Sequence, residues 1–464
     1  MPLSLVYPAN SLTGGYEVAN SCRFTRGDSP YMHITPGSDG DLRKFTVAFW
    51  CKRGLLTTGS GTGRQVIFST ATNDAITFDG STDKLVILED GGNALVTERL
   101  FRDCSAWYHV CVAVDTEQGV AANRIKLYIN GTLITDFSTT CQTSQNADMG
   151  FGKASEMMSV GRSEFDDNRH FDGYLAEFYY INDAQLAASD FGEFDEDSPS
   201  IFKPKEFEGS FGTNGFYLDF EDSANLGNDA NGGTDLTEVN LAAADQATDT
   251  PTNSFATLNP LYKTPNSLNF SEGNCQIQGA SGNGGRFAGG TFCPDAGKWY
   301  MEIKVTVSGS YPIMGIIDSS SDIRENSAYF VAADSGTNQS GFAIFSNDDV
   351  YHNNDNTFDQ WQTYATNDII GLALDMDAST PTITFLKNNG SSEAFTTEAP
   401  NSGHYIFPAI GNYMQAAIAY CNFGGCSSFA LTSAESDANG YGNFEYAPPS
   451  GYLAMCSKNI GENS

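Results

Sequence analysis

The chain has 464 residues, 40% of them hydrophobic and 12% aromatic, enough apolar material for two or three domains with sizeable cores. With 57 acidic against 24 basic residues and a formal net charge of −33, it lacks the clustered Lys and Arg that neutralise phosphates, which argues against nucleic acid and against an anionic membrane surface as partners. The 32 Phe, 21 Tyr and 47 Gly favour β-sheet joined by tight turns, and the lack of a long 3.6-period apolar stripe predicts few and short helices.

The opening MPLSLVYPANS has neither a basic region nor an apolar run of signal-peptide length, so no signal peptide is expected. No segment approaches the roughly 18 apolar residues of a membrane helix. Ten cysteines without a CxxC pair are expected to be reduced, mostly buried thiols, with Cys421–Cys426 the one close spacing to check for a disulfide.

In FTVAFWCKR (45–53), Phe45, Val47 and Phe49 alternate with Thr46, Ala48 and Trp50, which predicts a strand with apolar groups on both faces. LVILEDGGNALVT (85–97) and KLYINGTLITDF (126–137) each place a turn between two apolar runs. Asn130-Gly131 is a strong hairpin signal, because a type I′ turn needs positive φ at both central positions. FDGYLAEFYYI (171–181) is a further strand, followed by a short helical turn between Asp183 and Phe191.

Residues 181–250 hold 16 acidic and two basic residues, yet keep Phe202, Phe207, Phe211, Phe216, Tyr217, Leu218 and Phe220 as apolar anchors. A disordered acidic tract lacks such anchors, so ordered irregular structure packed on the first domain is expected. DTPTNSFATLNP (249–260) closes the tract; its prolines exclude a strand and its composition is too varied for a flexible linker.

Strand patterns resume near Tyr262. In WYMEIKVTV (299–307), Trp299, Met301, Ile303, Val305 and Val307 alternate with Tyr300, Glu302, Lys304 and Thr306. GFAIF (341–345), DIIGLALDMD (368–377), ITFLKNNG (383–390, with an Asn-Gly turn), YIFPAI (405–410), MQAAIAYCNFG (414–424) and APPSGYLAMC (447–456) follow. The fold class is all-β, two antiparallel β-sandwiches joined by an ordered irregular acidic segment.

FTVAFWCKRG (45–54), WYHVCVAVD (107–115), NRIKLYINGTLI (123–134) and GYLAEFYYI (173–181) together resemble a concanavalin A-like jelly roll of the laminin-G type. The second half resembles a SPRY domain. Gly297-Lys298-Trp299-Tyr300-Met301-Glu302 corresponds to that family's opening strand, Asp368–Asp375 to its "DxIGxAxD", and Ile383–Gly390 to its "hxFxKNG". Phe407-Pro408-Ala409 and Asn422-Phe423-Gly424 correspond to its later motifs. The expected domains are a jelly roll at 1–195, an acidic Gly/Asn/Asp-rich connector at 196–261 and a SPRY-like sandwich at 262–464. The connector, with NGFYLDF (214–220) and DTPTNSFATLNP, is similar to a segment recurrent in tailed-phage proteins, as is the closing PPSGYLAMCSKNI (448–460). It departs from that pattern at Ala230-Asn231, where a Ser-Gly pair is usual.

Jelly rolls of this shape also carry glucanases, whose E-x-D-x-x-E strand supplies a nucleophile and an acid/base. The nearest stretch, Glu193-Phe194-Asp195-Glu196-Asp197, lacks the second glutamate at the required place, so no catalytic residues are assigned and a non-enzyme is expected. The five histidines have no GxSxG or HExxH context, and His109 reads as a structural strand residue. Arg26-Gly27-Asp28 spells an adhesion tripeptide of a length that recurs by chance.

Asp229, Asn231 and Asp235 place oxygens at positions one, three and seven of a glycine-bearing loop, with Asp219 and Asp222 just before it. This is the candidate Ca²⁺ set, weighed against an Asx-rich turn that caps itself. Tyr351, His352, Asn354 and Trp361 form the candidate glycan-binding set, weighed against core packing of Trp361.

The resemblance implies a structural protein on the surface of a tailed-phage particle, made in the host cytoplasm. It would serve as capsid decoration, head fibre or tail appendage. Its expected partners are other virion proteins and host-surface glycans, with homo-oligomers formed within the particle through sandwich faces. A stand-alone lectin-like protein is the alternative, and a glycosidase the third reading.

Overall fold

The computed structural model describes residues 15–56, 63–165, 169–264, 268–279, 286–306, 312–319, 341–352, 355–378, 380–390, 392–396, 405–412 and 418–463. Asn354, Val307 and residues 414–417 of the expected features lie outside them. The chain divides into two compact units, Thr13–Thr252 and Asn253–Ser464. Both are built of antiparallel sheets, and the one α-helix among the described residues is Ser457–Asn463.

In Thr13–Thr252 two eight-stranded sheets face each other across one core. The first runs in the order Thr132–Leu133, Ile125–Ile129, Trp107–Asp115, Lys44–Arg53, Gly173–Asn182, Ser21–Phe24, Gln246–Ala247. The second runs Phe137–Thr139, Gly92–Leu100, Lys84–Glu89, Ala75–Phe78, Gln65–Thr70, Met158–Val160, Tyr31–Ile34, Thr237–Val239. Phe45, Val47, Phe49 and Cys51 enter the shared core, as the alternation predicts. Asn130 (φ 48°) and Gly131 (φ 76°) form the expected hairpin turn, and Asp90 (φ 47°) with Gly91 (φ 76°) a second. The turn expected between Asp183 and Phe191 is the 3₁₀ segment Ala188–Asp190.

Strand Lys44–Arg53 is buried along nearly its whole length, so its outer face is covered as well. The cover is the acidic stretch. Phe202 packs on Trp50 and His109, at ring-centroid distances of 6.1 and 5.1 Å, while Phe191 and Phe207 pack on Tyr179. Phe216–Leu218 adds a strand against Gly173–Asn182. Burial pushes the His109 imidazole down to about 3, so it is a neutral core group. Between Ala176 and Tyr179 the strand bulges, and Glu177 takes a left-handed φ of 49°. Its buried carboxylate accepts the hydroxyls of Tyr16 (3.0 Å), Tyr179 (2.7 Å) and Tyr217 (2.8 Å). The Tyr179 and Tyr217 rings stack at 4.3 Å.

The tract DTPTNSFATLNP is ordered, and the division between units falls within it, after Thr252. In the first unit, Asp249 is 1% exposed and pairs with the equally buried Lys52, Nζ to Oδ2 2.7 Å. The Trp107 indole donates to its other oxygen at 3.0 Å, and Ser21 Oγ donates to its carbonyl at 2.6 Å. In the second unit, Phe255 bridges Cys456, with Ser457 N donating to Ser254 O and Ala256 N to Met455 O.

In Asn253–Ser464 a seven-stranded sheet (Leu258–Lys263, Arg286–Gly290, Ile406–Asn412, Pro312–Asp318, Phe342–Phe345, Asp349–His352, Asp355–Gln360) packs on an eight-stranded one. The latter runs Leu268–Ser271, Gln276–Gly279, Ile418–Asn422, Lys298–Val305, Ile369–Asp375, Thr382–Lys387, Ser392–Thr396, with Leu453–Ala454 parallel to Lys298–Val305. Trp299, Met301, Ile303 and Val305 fill the core. The expected Asn-Gly turn sits one residue earlier: Asn388 (φ 48°) and Asn389 (φ 56°) take the left-handed positions, which asparagine tolerates. None of the ten cysteines is in a disulfide, Cys421 and Cys426 included, and nine are buried.

On the opposite face Glu302 is fully buried and accepts four hydrogen bonds. The donors are Tyr446 N (2.8 Å), Glu445 N (2.9 Å), Asn422 Nδ2 (3.3 Å) and Tyr300 Oη (3.3 Å). Burial outweighs these donors and pushes the carboxyl up to about 7.

Two stability outcomes follow from these buried groups. Asp249→Ala strands the Lys52 ammonium in a dry site and should cost about 3–5 kcal/mol in urea denaturation. For Glu302, the folded state holds a proton that the unfolded state has lost between the ordinary carboxyl value and about 7. Raising pH through that window should therefore remove about 3 kcal/mol of stability, and Glu302→Gln, though less stable overall, should lack that component of the pH dependence.

Candidate binding cleft

A cleft of about 520 Å³ opens on the first unit, lined by Gly63, Arg64, Asn73, Asp79, Gly80, Ser81, Gly91, Phe165 and Arg169. That size lies within the range of small-molecule sites, roughly 300–1,000 Å³. Its walls come from four connections of the second sheet. Arg64 leads into strand Gln65–Thr70, Asn73 lies in the turn after it, Asp79–Ser81 follow Ala75–Phe78, and Gly91 follows Lys84–Glu89.

Glycines let these connections close on one another. An ideal β-carbon on Gly80 would stand 1.7 Å from the Gly63 carbonyl oxygen, and one on Gly91 would stand 2.3 Å from Asn73 Nδ2. Gly91 N donates to Asn73 O at 3.0 Å. Asp79 Oδ1 collects both the amide and hydroxyl of Ser81 (3.0 and 2.7 Å) and of Thr82 (2.9 and 2.8 Å). Burial raises this carboxyl, yet the four donors outweigh it and hold Asp79 below its ordinary value.

The remaining wall is the loop after strand Met158–Val160. Ser69 Oγ donates to Arg162 O (2.8 Å) and accepts from Glu164 N (2.9 Å). Arg162 forks onto Glu164 and lies over the Tyr31 ring at 3.6 Å. On this braced base Phe165 is 66% exposed, the most exposed large apolar side chain among the described residues. Farther along, Arg169 O accepts from Val66 N at 3.3 Å. Arg64 Nη2 donates to the neutral Asn93 Oδ1 at 2.9 Å. Burial lowers the Arg64 guanidinium, and the neighbouring Arg169 charge lowers it further while Asp79 opposes. Arg26, of the adhesion-like tripeptide, lies just behind: a β-carbon on Gly63 would come within 3.7 Å of its Nη2.

The residues singled out from sequence lie elsewhere. Tyr351 is half-buried against Phe345 at 4.2 Å. His352 is buried, stacked on Phe342 at 4.2 Å, with Nδ1 2.9 Å from Gly341 O. Trp361 is 7% exposed and packs with Tyr364 and Phe385 in the core. His352 and Trp361 therefore offer no sugar platform, because the strand pattern turns His352 inward and the core takes Trp361. Asn354 lies outside the described residues.

Asp229 is 3% exposed and its oxygens accept from Tyr217 N, Asn231 N and Gly233 N, while its own N–H reaches Asp235 Oδ1. Asp219 and Asp222 each cap the amide two residues on. Among the described residues no group of three or more His, Cys, Asp or Glu side chains is placed to hold a metal ion. In the candidate Ca²⁺ loop of Asp219, Asp222, Asp229, Asn231 and Asp235, the oxygens of the four aspartates accept backbone N–H donors of their own turns, the pattern of an Asx-rich turn that caps itself. Arg64, Phe165 and Arg169 escaped notice in the sequence; the only local signal was an aromatic stranded in the polar run SEFDDNRH (163–170).

Residues 26–189 match the family model of the concanavalin A-like lectin/glucanases superfamily, and residues 298–425 match that of the SPRY domain. A concanavalin A-like domain and a SPRY domain are therefore present, both of kinds that often mediate binding or protein interactions. Among solved structures, the SPRY domain of human HERC1 is 15% identical, covering 37% of this chain and 99% of that one, with a TM-score of 0.29. The TRIM65 PSpry domain is 12% identical (36% and 88% covered, TM-score 0.28). The heptameric SAP-like pentraxin from Limulus polyphemus is 19% identical (37% and 80% covered, TM-score 0.25). No curated protein matches the chain.

For the acidic loop, Asp229→Ala should lower stability by about 1–3 kcal/mol through unpaired buried amides, whereas EDTA should leave the melting temperature of the full chain unchanged. A drop on chelation, restored by Ca²⁺, would contradict the self-capped reading.

Proposed function

We propose that this chain is a non-catalytic attachment protein on the surface of a tailed-phage particle, as capsid decoration, head fibre or tail appendage. It joins other virion proteins and takes host-surface glycans as its outward partner. The observation that carries this reading is the tract between the two domains. Its motifs, similar to those of phage proteins, are the parts that complete the first unit: Phe216 and Leu218 extend a sheet, and Asp249 neutralises Lys52. A pair of binding-type domains and an open, braced cleft suit attachment.

The non-catalytic part rests on where carboxylates go. In the stretch nearest to a glucanase motif, Asp195 Oδ1 caps Asp197 N and Ser198 N, and Lys203 Nζ lies 3.5 Å from both Glu193 and Asp195. Glu177 and Glu302 are occupied by tyrosines and backbone amides. A lectin-like protein acting by itself is the second reading, favoured by the exposed Phe165 at the cleft.

A mass-spectrometric inventory of purified particles decides between them. The chain should be present, near a simple fraction of the major capsid protein for a head location or at a few copies for the tail. Its absence from particles would leave the lectin-like reading.

A further inference from the structure

We propose that Cys275 and Cys421 are a dithiol that closes to a disulfide under oxidising conditions and clamps the outer hairpin of the second unit to its sheet. The inference is independent of the reading of the chain as an attachment protein.

Register sets the two residues face to face. Strand Gln276–Gly279 pairs with Ile418–Asn422 as Gln276↔Tyr420, Ile277↔Ala419 and Gln278↔Ile418. One step farther along that ladder, Cys275 stands opposite Cys421. Cys421 N donates to Cys275 O at 2.8 Å, and the Cys421 thiol reaches the same oxygen at 3.1 Å. Ser428 Oγ lies 2.8 Å from Cys275 O and 2.9 Å from Cys421 O, so one hydroxyl spans both backbones at this step. Opposite residues at such a hydrogen-bonded position have α-carbons about 5.5 Å apart and side chains on one face. A disulfide spans roughly 4.4–6.8 Å between α-carbons, so the backbone here suits one. Both side chains enter the same core, at 2% and 0% exposure, and neither is in a disulfide.

The position gives the bond a mechanical effect. Strands Leu268–Ser271 and Gln276–Gly279 form a hairpin at the margin of the eight-stranded sheet, and in the sheet order it reaches the other strands through Ile418–Asn422. Three residue pairs make that seam among the described residues. A covalent link at the turn end of the hairpin adds a fourth tie, between residues 146 positions apart, and a closed loop of that length restricts the unfolded chain strongly.

Burial, with the adjacent Cys275, holds the Cys421 thiol well above its ordinary value. The folded pair is therefore slow to react, and the reaction proceeds when the marginal hairpin opens locally. With oxidised glutathione as oxidant, one cysteine thiolate attacks a glutathione sulfur and one glutathione leaves as its thiolate. The other cysteine, deprotonated in turn, attacks the protein-side sulfur of the mixed disulfide and expels the second glutathione. Two cysteines are oxidised, one glutathione disulfide is reduced to two thiols, and the two cysteine protons pass to the departing thiolates.

Incubation of the full chain with oxidised glutathione, against a matched sample in dithiothreitol, tests this. Peptide mapping without reduction should give a Cys275–Cys421 linked peptide, formed faster in low urea than in buffer. Amides of the hairpin at 268–279 should exchange at least tenfold more slowly, and the melting temperature of the second unit should rise by about 5–15 °C. Cys275→Ala and Cys421→Ala should each abolish these changes, and Cys426→Ala should keep them. Should the first two variants fail to fold, the map of the unaltered chain under the two conditions still decides. A bond between other cysteines, such as Cys421–Cys426, or glutathione adducts alone, would overturn the proposal. A Cys275–Cys421 bond with unchanged exchange in the hairpin would overturn the clamp.

Discussion

A lysine and an aspartate that each retain about 1% of their exposure cannot be left unpaired, and in this fold that constraint ties the end of a long acidic stretch to a strand in the middle of a sheet. Taking either charge out of water costs several kcal/mol, so the pair holds only with good geometry and its remaining valences filled. Trp107 fills one, and the Ser21 hydroxyl secures the adjoining carbonyl. An uncharged residue at either position would free the segment to settle elsewhere. The pair therefore specifies where the stretch ends more than it adds net stability.

With that end anchored, the stretch can act as a third layer. A sheet apolar on both faces would expose Trp50 and Tyr179 if it had one partner only. Phe191, Phe202, Phe207 and Phe211 meet that need from a segment whose composition otherwise points to disorder. Its acids turn to solvent or cap turns, as Asp195 and Asp229 do. Asp249 is the exception, and beneath the layer Glu177, on strand Gly173–Asn182, is held by three tyrosine hydroxyls at the cost of a left-handed backbone.

The cleft follows from the same rigidity. Asp79 sits on a short connection between well-paired strands and Arg64 immediately precedes strand Gln65–Thr70, so both are positioned by the sheet. Glycines set how closely those connections meet, and hydrogen bonds from Ser69 brace the loop that lifts Phe165.

The sequence by itself determined the all-β class, the alternation of the strands at Phe45 and Trp299, the hairpin turn at Asn130-Gly131 and the ordered state of the acidic stretch. Each is a local matter of side-chain period, turn conformation or apolar content within a few residues. It placed Asp229 in a turn but could not tell capping from ligation, because that depends on where neighbouring N–H groups point. It gathered Tyr351, His352 and Trp361 by proximity in the chain, whereas strand pairing turned His352 inward and the core took Trp361. Only the tertiary structure decided that Lys52 meets Asp249, 197 residues away, and that Arg64, Asp79, Phe165 and Arg169 line one cleft. Those meetings are set by sheet order and by loops folding over it, and no periodicity within a strand carries that information.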